Sequence, residues 1–281
     1  MASLTLRLGT AARPAVLAVP VAPTGPDGAS GTDGAGSDAP AAVVSGVPLP
    51  AGTGTVLATY LADVEHTGAA GAVDVLPRPG ERPQQLIAVG VGDGAEADWR
   101  AAGAAVVRAA TTRPAVTVAV PDGLTDTQFA GLAEGILLAG YRFSLAADDS
   151  GAPALSRVTI AADADRYGPA LARAQAVAEA TTLARDWVNT PSNHKSPDWL
   201  AGRIARAAEK HQVQVRIRDA DRLAAEGFGG VLAVGAGSPR PRGWSSCAGG
   251  RAARSGTSCS SARASRTTPA ASTSSRPVRW S

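Results

Sequence analysis

Between residues 86 and 161, short apolar runs alternate with helical periodicities, and this restricts the fold more than any other feature of the 281-residue chain. Leu86–Val91 (LIAVGV) is a run of buried-strand type closed by Gly92-Asp93-Gly94, and Asp98–Ala110 follows as a helix. Ala115–Val120 is a second apolar run before Pro121-Asp122-Gly123. Thr125 is placed to cap a helix through Leu138, with Phe129, Leu132, Ile136 and Leu137 near helical spacing. Arg157–Ala161 adds one more strand. Strands separated by helices predict an α/β layer with a mainly parallel sheet.

The flanking segments extend the pattern. Alternation of Leu4, Leu6 and Leu8, and the run Ala15–Val19, predict two strands, and Thr55–Val64 has a helical pattern. Residues 21–42, rich in Gly, Ala, Pro, Asp and Ser, are expected to form a disordered loop. Pro169–Val188 is the longest predicted helix, with Val177, Ala180, Ala184 and Trp187 as its apolar face and Asn189-Thr190-Pro191 as its stop. Ser196, Pro197 and Asp198 are start signals for another helix, its apolar face being Leu200, Ile204, Ala207 and His211. Val213–Arg218 alternates as a strand, Asp219 caps a short helix stopped by Gly227, and Gly229–Gly235 is expected to be a buried strand.

After Pro241 the chain changes character. Residues 243–281 contain six Arg, no Lys, Asp or Glu, no Leu, Ile or Phe, and a single Val. Residues 1–242 therefore hold 21 basic and 24 acidic side chains, a net charge of −3, and the basic pI belongs to the tail. Cys247 and Cys259 both lie in the tail, without metal-type spacing. No apolar run reaches the ~18 residues of a membrane span, and no long apolar segment follows Arg7 as in a secretory signal, so the sequence predicts a cytoplasmic protein without membrane contact.

The segments ARDWVNTPSN, PDWLA and GFGGVLAVGAGSPRP resemble the region preceding the catalytic core of the leucyl aminopeptidases, the M17 metallopeptidase family. IAVGVGDGAEADWRAAGAAVVRAA and GLAEGILLAGYRF resemble that family's N-terminal domain. The resemblance implies a macro-like α/β domain over 1–162 and a linker helix and incomplete α/β catalytic-domain fragment over 163–242, while its composition makes 243–281 an expected disordered, out-of-frame tail. It also implies, for a full-length member, a hexamer that removes N-terminal residues from peptides with two Mn or Zn ions. Such ions, roughly 3.5–4 Å apart, polarise the scissile carbonyl and supply hydroxide.

The family's VGKGITFD(S/T)GG and NTDAEGR motifs are not legible after SPRP, so no catalytic, cofactor or metal residue is assigned. Taking the last base of each tail codon with the first two of the next, however, Gly256–Arg276 can be decoded as HVVLVGKGITxDTGGLHVKP. Position x is then Tyr, His, Asn or Asp. Gly243–Cys247 likewise gives LVEL. A single-nucleotide slip near Pro241–Gly243 is the expectation that follows, and with it a truncated aminopeptidase inactive on its own.

Two alternatives come from other classes. The macro-like domain implies nucleotide binding of the ADP-ribose type or a role in subunit assembly, and the Arg/Ser tail has the composition of a nucleic-acid arm, which the slip explains without any function. Among lesser features, Gly235-Ala236-Gly237 reads as a strand-end turn rather than a phosphate loop. His194 and Lys195 read as a solvated loop, and His66 and His211 as isolated helix residues without carboxylate partners.

Overall fold

A computed structural model of the chain describes residues 4–9, 13–24, 41–143, 155–235, 244–248 and 258–261. It comprises two units, Met1–Asp186 and Trp187–Ser281.

In the first unit the elements run β1 (Thr5–Leu8), β2 (Val16–Ala22), β3 (Ala42–Val43), α1 (Thr53–Asp63), β4 (Val73–Pro77), β5 (Gln85–Gly90), α2 (Glu96–Ala109), β6 (Ala115–Ala119), α3 (Asp126–Ala139), β7 (Arg157–Ala161) and the start of α4 (Ala164–Asn189). The sheet order is β1-β7-β6-β2-β5-β4, with β3 also paired to β2. Ladders among β1, β7, β6, β2 and β5 are parallel, while β4 and β3 pair antiparallel. This is the mainly parallel α/β sheet that the alternating runs predict.

Burial on both faces of β2 accounts for its near-continuous apolar sequence. Val16 and Ala18 pack with the α2 and α3 side, including Val106, Phe129 and Ile136. Leu17, Val19 and Val21 pack with Leu57 and Leu61 of α1. The expected loop at 21–42 begins later and ends earlier, because Val21 and Ala22 pair with Val43 and Ala42 in the β2–β3 ladder. The interior of that loop, 25–40, lies outside the described residues.

Helices α2 and α3 pack at glycine contact distance. A Cβ on Gly103 would lie 2.3 Å from the Leu132 carbonyl oxygen, one on Gly131 2.4 Å from that of Glu96, and one on Gly135 2.1 Å from that of Arg100. Arg100 also joins the two helices, pairing with Glu96 on its own helix and with Glu134 of α3 at 3.2 Å.

The face predicted for α4 is corrected by the structure. Its buried stripe is Tyr167, Leu171, Ala174 and Ala178, whereas Val177 is 42% exposed and Ala180 and Ala184 are exposed too. Tyr167 sets the rotation: its ring stacks on Phe129 at 4.5 Å and its hydroxyl donates to the Leu124 carbonyl at 2.8 Å. The first turns of α4 thus pack into this core through Tyr167, Leu171 and Ala174.

The second unit contains α5 (Pro197–Lys210), β8 (Gln214–Arg218), α6 (Ala220–Ala225), α7 (Gly229–Gly235), β9 (Trp244–Ala248) and β10 (Ser258–Ser261). Ser196 caps α5 by accepting from the Trp199 N–H at 3.1 Å, and Asp219 caps α6 by accepting from the Arg222 N–H at 2.9 Å. Gly227, at φ +80°, ends α6 as expected. Gly229–Gly235 is a helix, not the predicted buried strand, and Val234 is 58% exposed. Periodicity cannot separate these states in so short an apolar run. The turn at Gly227 and the bonds from the Val231 and Leu232 N–H groups to the Phe228 carbonyl select the helix. Most of the tail expected to be disordered lies outside the described residues, but two short segments of it pair as strands in the sheet β10-β9-β8, antiparallel throughout.

Candidate functional site

The parallel ladder between β2 and β6 covers only Leu17–Ala18 opposite Thr117–Val118. Beyond it β3 takes over the pairing of β2, and a cleft of about 340 Å³ opens at the carboxyl ends of β2, β5 and β6. The chain leaves β2 toward β5 and leaves β6 toward β7, so the cleft sits at the reversal of strand order where open α/β sheets characteristically hold ligands.

Each wall is fixed by local chemistry. After β5 the turn Gly92-Asp93-Gly94 has φ of +51° at Gly92 and +78° at Gly94, a backbone that glycine adopts without strain. Just before this turn the end of β5 packs closely on its neighbour, since a Cβ on Gly90 would lie 2.0 Å from the Ala69 carbonyl oxygen. Gln128 ties this turn to the opposite wall: its Nε2 donates to the Gly94 carbonyl at 2.7 Å, while its Oε1 accepts from the Thr125 N–H at 3.0 Å. Behind the wall after β6, Arg166 of α4 donates to the carbonyls of Asp122 (2.9 Å) and Leu124 (3.1 Å). The cleft is therefore built before any ligand arrives.

Apolar surface comes from Val44, Val91, Pro121 and Leu124, and the sole charged group among the described lining residues is Asp93. At both helix starts on the rim the N–H of the N-cap residue itself is held by a first-turn side chain. The Ala95 N–H donates to Asp98 at 3.1 Å, and the Thr125 N–H is held by Gln128. Trp99 also lines the cleft. It is only 3% exposed, and its indole Nε1 is buried without a hydrogen-bond partner, 3.9 Å from the position of a Cβ on Gly94.

His66 departs from its expectation. It follows α1 rather than lying on it, is buried, and has a carboxylate in view, Asp74 Oδ2 at 3.9 Å from Nε2. Its Nδ1 accepts from the Gly68 N–H at 2.9 Å. Burial holds its pKa below the ordinary value, against opposing contributions from Asp74 and the Ala72 carbonyl. Burial, and then Asp74, push the nearby Tyr60 hydroxyl up.

His194 is exposed in the turn after α4, where Lys195 Nζ donates to the Val188 carbonyl at 2.9 Å. His211 is the exposed C-cap of α5, not part of an apolar face. Of Gly235-Ala236-Gly237, Gly235 ends α7 and the other two lie outside the described residues. Of the tail cysteines, Cys247 pairs through its backbone with Ser258, and Cys259 with Ser246. Among the described residues no three His, Cys, Asp or Glu side chains converge to hold a metal ion, and no helix is long and apolar enough to cross a membrane. The described residues thus do not fit a two-ion site.

Sequence reasoning did not find the cleft, because its walls come from four loops far apart in the chain. The one available signal was the Gly92-Asp93-Gly94 turn, standing between a buried strand and a helix start.

Comparison with known proteins bears on both units. The family model described as "Cytosol aminopeptidase family, N-terminal domain" matches residues 36–146, and that described as "Cytosol aminopeptidase family, catalytic domain" matches 182–245. A probable cytosol aminopeptidase of Micrococcus luteus is 40% identical over 227 residues, covering 74% of this chain and 43% of that protein. One from Streptomyces coelicolor is 35% identical over 211 residues, covering 65% of this chain and 40% of that protein. The chain thus spans less than half the length of these relatives. Among solved structures, the bottromycin maturation enzyme BotP, in complex with Mn, is similar with a TM-score of 0.61 and 25% identity, over 83% of this chain and 44% of that one. A tomato leucine aminopeptidase mutant gives a TM-score of 0.66 at 20% identity, over 87% and 51%, a likeness of fold alone.

Proposed function

Because the chain belongs to the cytosol aminopeptidase family, we propose that its gene derives from one encoding a metal-dependent aminopeptidase, and that a reading-phase slip near Pro241–Gly243 separates this chain from most of the catalytic domain. The observation that carries this reading is where the similarity stops. The match to the catalytic domain runs from 182 to 245, yet the chain continues to 281 in a composition without Leu, Ile or Phe. With permitted codon choices, the shifted phase of Gly256–Arg276 can be decoded as a lysine- and aspartate-bearing motif of the kind that the family uses to hold metal.

In this reading the restored protein is a cytoplasmic hexamer that cleaves N-terminal residues from peptides with two Mn or Zn ions. Among the described residues no group of side chains forms that cage, and no catalytic step is assigned to this chain's own side chains. Sequencing the codons for Ser238–Trp244 and expressing a phase-corrected gene test the proposal. The corrected protein is expected to hydrolyse leucine p-nitroanilide with Mn²⁺ or Zn²⁺, and the present chain is expected not to. Turnover by the present chain alone, or DNA whose other phase lacks the motif, overturns it.

The nucleotide-binding alternative has one favourable observation, a preformed cleft at the strand ends. Its polyphosphate form is poorly matched to that cleft, where Asp93, with Glu96, Asp98 and Asp126 in the first turns of the flanking helices, would repel anions.

A further inference from the structure

The charged side chains of the first unit are sorted between the two ends of its sheet. At the amino ends of the parallel strands stand Arg13, Arg82, Arg113 and Arg157, with Arg78 just after β4 and Arg108 in the last turn of α2. Main-chain bonds hold these strand starts together. The Gln84 and Gln85 N–H groups both donate to the Ala15 carbonyl, at 2.9 and 3.3 Å, and the Ser156 N–H donates to that of Pro114 at 3.1 Å. Arg113 Nε donates to Gln85 Oε1 at 2.8 Å, and Arg157 is in register with Ala115. The arginines therefore line one rim of the sheet from β4 to β7. In the described segments leading into these strands the one acidic residue is Glu81, and it pairs with Arg78.

At the carboxyl ends the sign is reversed. Asp93, Glu96, Asp122, Asp126, Asp163 and Asp165 are exposed there, after β5, β6 and β7. Arg100 and Arg166 also lie at this end, but both are engaged, Arg100 with Glu96 and Glu134 and Arg166 with the carbonyls of Asp122 and Leu124. Helix dipoles explain part of the sorting, since Glu96, Asp126 and Asp165 are in first turns and Arg108 is in a last turn. They do not explain Arg13, Arg82 and Arg157, which are exposed, lie in no helix and have no ion-pair partner among the described residues.

We infer that the two ends form an interaction surface between copies of this chain, the arginine rim of one seating head to tail on the acidic strand ends of the next. Charge complementarity names the occupant, because the surface that matches the rim is carried by the same chain over the same stretch of sheet, β5 to β7. That stretch is about 14 Å wide, three strand spacings. Each copy offers a different patch, so the contact does not close on itself at two copies. Asp93 lines the cleft, so a seated copy covers its mouth. A single exposed ion pair contributes little to association. The contact therefore needs several pairs at once and belongs to low ionic strength. The screening length is about 30 Å at about 10 mM salt and about 3 Å at about 1 M.

Sedimentation velocity of the full chain at these two salt concentrations tests the inference. The weight-average coefficient is expected to rise with protein concentration at low salt and to stay constant at high salt. Arg13→Glu/Arg82→Glu/Arg157→Glu is expected to weaken association at least about tenfold, because like charges then face each other. Asp93→Lys/Asp122→Lys is expected to do the same from the other end. An equimolar mixture of the two variants is expected to form a 1:1 complex, since each keeps the end that the other has lost, and circular dichroism checks that both are folded. A wild-type coefficient constant up to about 200 μM at low salt, where a contact with a Kd of about 1 mM is already measurable, overturns the inference. So does a rise that persists at high salt, or one that persists in the arginine variant, which would assign it to the arginines of residues 243–281. Failure of the folded variants to combine overturns it too, as does a DNA duplex bound by the rim of a chain that does not self-associate.

Discussion

A buried imidazole that accepts a hydrogen bond through Nδ1 and sees a carboxylate only at 3.9 Å has reason to stay neutral, and His66 is in that position. Protonation would convert Nδ1 into a donor facing the Gly68 N–H, and Gly68 in turn supplies the carbonyl that holds Gly92 at the cleft (3.0 Å). Because burial lowers its folded pKa, the unfolded chain binds the proton more readily. The stabilisation is full above the ordinary value of 6.5 and is lost as pH falls from there through the depressed folded value. The urea midpoint is therefore expected to drop between about pH 7 and pH 5. In His66→Asn, which keeps an acceptor for Gly68 but does not titrate, that part of the drop should vanish. An identical pH dependence in the two proteins would show that His66 is not its source. The sequence revealed nothing of this, because Asp74 and the burial of the ring come from tertiary packing, and the Gly68 contact is a turn without a signal of its own.

At the level of elements, the strands and helices between 86 and 161 were legible because each carries its own signal. Buried runs make β5 and β6, and Thr125 followed by Gln128 makes the reciprocal cap of α3. What was missed has no such signal. β4 (Val73–Pro77) is a half-buried edge strand ending in proline, and β3 is only two residues long. The buried stripe of α4 depends on where Tyr167 finds Phe129, and alanine-rich sequence offers competing faces. The α2–α3 contact was equally hidden, since its glycines looked like weak points in helices. Gly135→Ala is expected to destabilise the chain by about 1–3 kcal/mol or more, because the new methyl meets backbone rather than a yielding side chain. Gly54→Ala in α1, whose nearest neighbour would be Leu49 at 3.9 Å, is expected to be neutral or to stabilise by about 0.4–1 kcal/mol. Chemical denaturation of both variants checks the pair, and equal effects would remove the claim that close helix contact, not helix propensity, fixes these glycines.

Across the whole molecule, the two units differ in how completely their apolar surface is covered. The first has one core on each face of its sheet, extended by Tyr167, Leu171 and Ala174 of α4. In the second, the only buried residues among those described are Pro197, Ala208 and Leu223, while Ile217, Phe228 and Val234 are exposed. Regions with few buried apolar contacts open at low free-energy cost, and proteases sample those openings. Limited trypsin digestion is therefore expected to remove the second unit first, with early cuts at Lys195 and the Arg residues of α5. The remaining fragment should retain Arg166 and Arg173 uncut, because α4 is anchored there by Tyr167 and by the Arg166 bonds to Asp122 and Leu124. Intact-mass measurement of the resistant fragment decides the matter. A fragment ending at Arg166 would support the boundary near 162 read from the sequence, whereas one extending to Arg185 or Lys195 makes α4 part of the first unit's stable core.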